Sequence, residues 1–254
     1  MTPVTERLEA GGCRVSIALP PAYGASEKRY PLVVSNDGDY LEERLEKLWP
    51  KLWRDGGGQF VLAAVTPRNR GDDYTPWSAP GLAENEPPFG GRGADYLAFL
   101  TDALLPLLRG RYRLHPDGDY TGLMGYSLGG LHALYALYLT RAFGCVASLS
   151  GSLWYDGFVS FMEEHRPLRQ EAKIYLSLGQ SEKKVRQPRM ARGAECTARA
   201  AWLLKEQTGT EPVIRWHPGG HFSGIPERFL AALRWFSDGW KTVDGWEADG
   251  EDLR

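Results

Sequence analysis

The segment MGYSLGG, residues 124–130, constrains the fold of this chain more than any other stretch. Its G-x-S-x-G pattern places Ser127 between Gly125 and Gly129, with the apolar run TGLM before it and the helical run LHALYALYL after it. This context predicts a sharp strand-to-helix turn that lifts the serine to the carboxyl edge of a parallel sheet. A short pattern of small residues is also compatible with a plain tight turn, so the surrounding sequence must decide between the two interpretations.

Short β-rich runs alternate with helical patterns along most of the chain. Strands are predicted at 13–19, 31–35, 60–65, 119–124, 145–150, 172–178 and 212–217, and helices at 39–54, 93–109, 128–141, 158–166, 190–208 and 226–238. This alternation predicts an α/β fold with a mostly parallel central sheet flanked by helices. Residues 66–93 are rich in proline and glycine and show no clear period, which predicts a surface loop or a wall of a binding site.

Composition and charge limit the expected partners. The 254 residues predict one α/β domain over 1–254 whose polar tail, 241–254, frays. The 30 basic and 32 acidic residues nearly cancel, and no apolar run is long enough to span a membrane, so neither nucleic acid nor a membrane is expected as a partner. Three widely spaced cysteines favour reduced thiols over disulfides or a zinc site. We therefore expect a cytoplasmic protein without metal or cofactor, either a monomer or a weak homo-oligomer.

A serine nucleophile needs a base within hydrogen-bonding distance, and five histidines compete for that role. His221 lies in HPGGHFSG, after the last predicted strand and after two glycines, on a loop that can reach over Ser127. His217 ends that strand and is the alternative. The chain order serine, acid, histidine that accompanies this motif favours His221.

The acid that orients the histidine is expected after a strand that precedes it. Glu182 is the first carboxylate after the strand in IYLSLGQSEKK, and Asp156 in SGSLWYDGF is the alternative. The amide of Leu128, at the start of the helix, is the first predicted donor to an oxyanion. The amide of Asp39, which follows Asp37-Gly38 in PLVVSNDGDY, is the second.

With these residues in place, the chain resembles the esterase family of α/β-hydrolases over about residues 12–238. This family includes the enterobactin and bacillibactin trilactone esterases and, more distantly, the mycolyltransferase antigens and S-formylglutathione hydrolases. The resemblance rests on NDGDY, RNRGDDYTPW, GRGADYLAFLTDALLPLLRGRYR, GYSLGG, SLSGSLWYDGF, LGQSEKK and HPGGHF. It implies an α/β-hydrolase fold of the compact cytoplasmic type, with Ser127 as nucleophile, His221 as base and Glu182 as acid.

Charged and aromatic residues around the proposed site suggest a substrate class. A basic run after Glu182 includes Lys184 and Arg189, and Arg68 and Arg70 add positive charge earlier in the chain. Flat walls for aromatic groups are predicted from Trp77, Trp154 and Tyr155. Solvated basic side chains and core tryptophans are the common alternatives.

The basic and aromatic residues favour an anionic aromatic ligand, and the resemblance to trilactone esterases implies a small-molecule ester, specifically a catecholate siderophore trilactone that could carry ferric iron. Two other interpretations remain open from the sequence. One is a general or feruloyl-type carboxylesterase that acts on simpler acyl esters. The other is a catalytically silent hydrolase fold that serves as a binding module, because fold alone does not decide function.

Overall fold

The computed structural model describes residues 4–25, 27–54 and 59–241, and within them one sheet of eight strands forms the centre of the fold. Its spatial order is β1-β2-β4-β3-β7-β8-β9-β10. These strands are β1 Val4–Ala10, β2 Cys13–Leu19, β3 Leu32–Ser35, β4 Val61–Thr66, β7 Thr121–Tyr126, β8 Cys145–Leu149, β9 Lys173–Gly179 and β10 Val213–His217. A separate two-stranded sheet joins β5 Ser78–Ala79 to β6 Phe89–Gly90.

The six strands from β4 to β10 in this order run parallel, and β1 and β2 are antiparallel. The predicted mostly parallel sheet is therefore confirmed. The sequence prediction missed β1, which pairs with β2 through a hairpin at Gly11 and Gly12, both with positive φ. The polar pattern of VTERLEA hid this edge strand, although two consecutive glycines between extended segments are a typical hairpin turn.

Helices cover both faces of the sheet. They are α1 Gly38–Glu42, α2 Leu45–Arg54, α3 Arg70–Asp73, α4 Gly93–Ala98, α5 Leu105–Arg111, α6 Leu128–Leu139, α7 Phe158–Glu164, α8 Pro188–Ala191, α9 Gly193–Thr208 and α10 Ile225–Lys241. Alternate residues of one strand enter two different buried clusters. Leu32 and Val34 of β3 pack with α6 and α9 on one face, while Val33 packs with α2 and α10 on the other. This alternation is the side-chain period of a strand buried on both faces.

Three predicted segments differ from the structure in their internal organisation. The helix expected at 39–54 is two helices, because the chain turns at residues 43 and 44 between α1 and α2. The helix expected at 93–109 contains a π-helical stretch at Phe99–Leu104 between α4 and α5. The stretch at 66–93 is not one loop, since it holds α3 and the β5–β6 pair. Periodicity alone does not mark such interruptions.

Cys13, Cys145 and Cys196 are buried and free. Across the part of the chain that the structure describes, no helix has the length and apolarity required to cross a membrane. The tail was predicted at 241–254. Residues 242–254 lie outside the described residues, and residue 241 is the last residue of α10.

Candidate active site

Ser127 occupies a strained turn between β7 and α6. Its φ of 57° and ψ of −117° are rare for a residue with a side chain. Close contacts explain the two flanking glycines. A Cβ atom on Gly125 would lie 2.4 Å from the backbone of Gly129, and one on Gly129 would lie 2.3 Å from Oδ2 of Asp37. The predicted strand-to-helix turn is therefore present, and it projects the serine from the carboxyl edge of the sheet.

The structure brings Ser127, His221 and Glu182 into one hydrogen-bonded chain. Nε2 of His221 lies 3.1 Å from Oγ of Ser127, and Nδ1 lies 3.0 Å from Oε2 of Glu182. Glu182 begins the 3₁₀ turn that follows β9 after two residues, and His221 lies on the loop between β10 and α10. Parallel strands end at the same edge of the sheet, so residues far apart in sequence meet there.

Glu182 is buried and accepts several hydrogen bonds. Its Oε1 accepts from the amide of Gly179 at 2.6 Å, from the hydroxyl of Ser150 at 2.7 Å and from Nη1 of Arg228 at 2.8 Å. Burial alone would raise the pKa of this carboxyl. Hydrogen bonds from His221, and then from Ser150 and Gly179, outweigh burial and lower the pKa of Glu182 to about 2. The carboxylate is therefore ionised at neutral pH.

An ionised Glu182 determines the orientation of the His221 ring. A carboxylate only accepts hydrogen bonds, so Nδ1 of the ring donates to Glu182. In the neutral imidazole, Nε2 is then free to accept the proton of the Ser127 hydroxyl. This arrangement can remove a proton from the serine and later return it to a leaving group.

Arg228 and Tyr126 are site residues that the sequence interpretation missed. Arg228 of α10 is 0% exposed, and its Nη1 donates to Glu182 and to the hydroxyl of Tyr126. The Tyr126 hydroxyl in turn donates to the backbone carbonyl of His221. The available signal was an arginine on the apolar face of a helix, one turn before the buried Ala232 and beside the buried Phe229.

Two further serines surround the nucleophile candidate. The Oγ atom of Ser152 lies 3.2 Å from Oγ of Ser127, and its amide donates to the Ser127 carbonyl at 3.0 Å. Ser150 has a positive φ of 45° and bonds to Glu182. Both lie in the SLSGS segment, whose resemblance to the family predicts no role for either serine.

The two predicted oxyanion donors lie at the starts of helices that adjoin each other. Leu128 is the first residue of α6, and Asp39 is the second residue of α1. Amides in the first turn of a helix have no acceptor within that helix. The loop before α1 binds the turn directly, since Oδ2 of Asp37 accepts from the Tyr126 amide at 2.7 Å and Nδ2 of Asn36 donates to the Gly129 carbonyl at 2.9 Å.

The two arginines predicted to bind substrate, Arg68 and Arg70, form ion pairs and hydrogen bonds within the protein. Arg70 donates to Asp37 at 2.9 Å and to the carbonyl of Tyr126 at 2.7 Å, so it braces the turn at Ser127. Arg68 pairs with Asp73 at 3.0 Å. Both guanidinium groups remain partly exposed.

The three aromatic residues predicted as substrate walls form one cluster. Trp77 packs against Tyr155, and its Nε1 donates to the carbonyl of Asp156 at 2.8 Å. Trp154 and Tyr155 are mostly buried, but both line a cavity of about 180 Å³ that also includes Arg192 and Cys196. These rings are therefore chiefly core residues with one accessible side.

Of the two basic residues predicted to bind substrate, Arg189 is bound to other residues of the protein and Lys184 is exposed. Arg189 donates to the carbonyls of Pro80 and Gly81 and pairs with Asp156 at 3.0 Å. Lys184 follows Glu182 in a short 3₁₀ turn and points into solvent. The positive charge expected around the site is thus partly neutralised.

The alternative acid and base do not take part in the hydrogen-bonded chain. The Asp156 carboxylate is 51% exposed and faces Arg189. Burial and nearby arginines lower the pKa of His217, and its Nε2 has no hydrogen-bond partner within the described residues. In those same residues, no group of three or more His, Cys, Asp or Glu side chains is arranged to hold a metal ion.

The fold and the geometry of this site define an α/β-hydrolase. Comparison with known proteins identifies two relatives by sequence. The chain is 30% identical over 233 residues to the uncharacterized protein YbbA of Bacillus subtilis (strain 168), covering 89% of this chain and 93% of YbbA. It is 43% identical over 132 residues to the iron(III) enterobactin esterase of Escherichia coli (strain K12), covering 52% of this chain but only 30% of that esterase.

A solved structure shows the same fold. The IroE-like serine hydrolase from Shewanella oneidensis superposes with a TM-score of 0.74 at 19% identity, covering 93% of this chain and 80% of that one. The model of the family described as "Putative esterase" matches residues 10–221. The chain belongs to this esterase family, and the resemblance expected from the sequence motifs is confirmed.

Proposed function

We propose that this protein hydrolyses carboxylic esters through an acyl-enzyme formed on Ser127. The observation that supports this proposal is the chain of hydrogen bonds from Ser127 through His221 to the ionised Glu182. A serine hydroxyl is a weak nucleophile unless a positioned base removes its proton, and this chain supplies the base and orients it.

In the first half of the reaction, Oγ of Ser127 attacks the ester carbonyl carbon while its proton moves to Nε2 of His221. The carbonyl oxygen becomes an oxyanion, for which the amides of Leu128 and Asp39 are the proposed donors. Collapse of this intermediate breaks the bond to the alcohol, which takes the proton from His221. Glu182 stabilises the imidazolium that exists between these two transfers.

In the second half, a water molecule takes the place of the alcohol. His221 accepts a proton from the water as its oxygen attacks the acyl carbon. The second tetrahedral intermediate then releases the carboxylic acid, and the proton returns to Oγ of Ser127. The products are one alcohol and one acid, and the enzyme is regenerated without a cofactor.

The favoured substrate is a catecholate siderophore trilactone. This proposal is supported by the identity shared with a protein named iron(III) enterobactin esterase, and by the exposed Lys184 that follows Glu182. A ferric catecholate carries several negative charges, and an exposed lysine attracts such an anion at long range.

Simpler acyl or feruloyl esters are the second candidate, and one observation favours them. Arg70 and Arg189 form ion pairs with Asp37 and Asp156, so less free positive charge faces a ligand than the sequence implied. A silent binding module is disfavoured, because a protein that only binds has no need of a strained serine aligned with a histidine and an ionised acid.

Labelling with a fluorophosphonate tests the proposed chemistry directly. We expect native protein to be labelled on Ser127 and the Ser127→Ala variant to remain unlabelled. Mass spectrometry of the products from a panel of esters, including a ferric and a metal-free trilactone, then identifies the substrate. Native protein that is folded but takes up no label would contradict the serine mechanism and favour the binding module.

Reversal of one surface charge tests the substrate preference. We expect Lys184→Glu to raise KM for a ferric trilactone about two- to threefold at low salt and to leave KM for a neutral p-nitrophenyl ester unchanged. Screening over about 8 Å at physiological salt should shrink the difference. The measurement is kcat/KM for both esters across a salt series.

The matched control for this change is Lys205→Glu. Lys205 is an exposed lysine near the end of α9 that leads into the start of β10, and therefore near the opposite edge of the sheet from Ser127. It should affect neither ester. An equal rise in KM for both esters in Lys184→Glu would show that this lysine supports the site itself rather than attracting an anion.

A further inference from the structure

Arg228 connects three separate parts of the candidate active site. Its Nη1 donates to Oε1 of Glu182 at 2.8 Å and to the Tyr126 hydroxyl at 3.0 Å, and it also contacts Oγ of Ser150. Its Nη2 donates to the carbonyl of Gly220 at 2.8 Å. One guanidinium thus contacts the acid, the end of the strand before Ser127, and the loop that carries His221.

Two of these contacts hold the His221 loop. The Gly220 carbonyl, one residue before His221, accepts directly from Arg228. The Tyr126 hydroxyl, held by Arg228, donates to the carbonyl of His221 itself. The loop backbone is therefore anchored on both sides of the His221 amide, and this fixes the direction in which the imidazole leaves the loop.

Stability alone is a poor explanation for an arginine at this position. Arg228 is 0% exposed, and its Nε has no hydrogen-bond partner among the described residues. Removing such a charge from water is costly, and buried ion pairs are often replaced by apolar side chains without loss of stability. Ala232, one turn after Arg228 on the same face of α10, is itself a buried apolar residue.

The charge of Arg228 acts on the acid from the side opposite to the histidine. Arg228 and Gly179 bind Oε1 of Glu182, whereas His221 binds Oε2. A lone carboxylate strongly favours a protonated imidazole beside it. A cation on the far side of that carboxylate weakens this preference. Its positive charge offsets part of the carboxylate's negative charge and repels the imidazolium.

We propose, on the basis of the proposed esterase mechanism, that Arg228 is a positioning residue that aligns Glu182 with His221 and keeps His221 unprotonated, and so able to act as a base, to lower pH. The carboxylate then orients the ring without trapping it in the charged form that cannot accept the serine proton.

Other titratable groups also face this cluster. Tyr126 from β7 and Tyr175 from β9 carry phenols whose pKa burial raises to about 12, so both are neutral over the working range. His217 from β10 feels the charge of Arg228, which adds to the effect of burial in lowering its pKa. Titration of His217 must therefore be resolved from that of His221.

The test compares Arg228→Met with Arg228→Lys. Methionine keeps much of the apolar volume and removes the charge, while lysine keeps the charge but not the fork of donors. We expect Arg228→Met to move the acid limb of the kcat/KM profile for a p-nitrophenyl ester upward by about one pH unit and to lower kcat. Arg228→Lys should lower kcat but leave the acid limb near its native position.

Arg234→Met is the matched control, since Arg234 lies on the same helix and donates to the carbonyl of Lys51. It should leave both the profile and kcat unchanged. An acid limb in Arg228→Met that coincides with that of the native protein would overturn the proposal, because a purely structural arginine lowers activity without moving the profile.

Two further measurements cover the remaining outcomes. If Arg228→Met fails to fold, the same substitution is made on the Glu182→Gln background, where no unpaired charge is left. The upward shift relative to Glu182→Gln alone is still expected, and its absence overturns the proposal. Titration of the His221 ring by NMR reports the same shift without turnover, so a native protein that hydrolyses no ester would refute the proposed function while leaving the effect of Arg228 measurable.

Discussion

Replacing Ser127 with alanine is expected to lower kcat/KM for a p-nitrophenyl ester by roughly 10⁴-fold or more while the fold remains intact. The hydroxyl makes the bond to the acyl carbon, and within the described parts of the chain its hydrogen-bond neighbours are His221 and Ser152. The unusual backbone at this position is held by the surrounding turn and does not depend on the hydroxyl. Steady-state kinetics and circular dichroism together measure activity and fold.

The loss should not add to that of His221→Ala, because the two side chains act as one unit in the proton transfer. The double variant is expected to be about as slow as either single variant. Ser152→Ala is the matched comparison, since it removes the neighbouring hydroxyl at 3.2 Å and leaves Ser127 in place, and it should cost far less. A Ser127→Ala protein that turns over the ester at the native rate would refute the acyl-enzyme mechanism.

The parts of the site that the sequence predicted are those that follow from chain order and local pattern. Ser127 was predicted because G-x-S-x-G between an apolar strand and a helix has few other uses. His221 and Glu182 were predicted because parallel strands deliver their following loops to one edge. The motif around Ser127 is local, whereas the choice of His221 and Glu182 also depends on their order along the chain after the serine.

The parts that the sequence did not predict depend on contacts between distant segments. The position of Arg228 on the apolar face of α10 is only a weak signal, because an arginine in an amphipathic helix is usually solvated. Arg70 and Arg189 illustrate the opposite error. Their positive charge suggested an anionic ligand, but each is paired with a carboxylate 33 residues earlier in the chain, Asp37 and Asp156 respectively. Charge patterning gives the sign of a patch, not its state of pairing.

The fold shows the same division. The parallel strands were predicted because buried strands read as continuous apolar runs. The edge strand β1 was missed because few apolar residues mark it: Leu8 and Ala10 are the residues of its described part, 6–10, that pack against the core. An edge strand is stabilised mainly by its pairing with a neighbouring strand, and the sequence pattern of VTERLEA does not indicate which strand that is.

Replacing Glu182 with glutamine is expected to lower the free energy of unfolding by about 3–5 kcal/mol at neutral pH. The substitution preserves the shape of the side chain, but it leaves the cation of Arg228 buried without its carboxylate partner. The folded-state pKa of about 2 lies below the ordinary value of 4.5, and this difference alone corresponds to about 3 kcal/mol. Activity should also fall, though by less than in Ser127→Ala, since orienting the histidine is a supporting role.

The pH dependence of this loss distinguishes ionisation from simple packing. A depressed pKa means that Glu182 stabilises the folded protein fully above the unfolded value, near 4.5, and that the contribution disappears as pH falls toward 2. The difference in free energy of unfolding between native protein and Glu182→Gln, measured by urea unfolding, should therefore be largest at pH 6–7 and shrink progressively below pH 4.5.

Asp156→Asn is the control, because its carboxylate is 51% exposed and its ion pair with Arg189 should contribute less than about 1 kcal/mol. If Asp156→Asn were the more damaging of the two for stability and for kcat, Asp156 rather than Glu182 would be the acid. A difference for Glu182→Gln that stayed constant down to pH 3 would show that the carboxylate acts through shape and not through its charge.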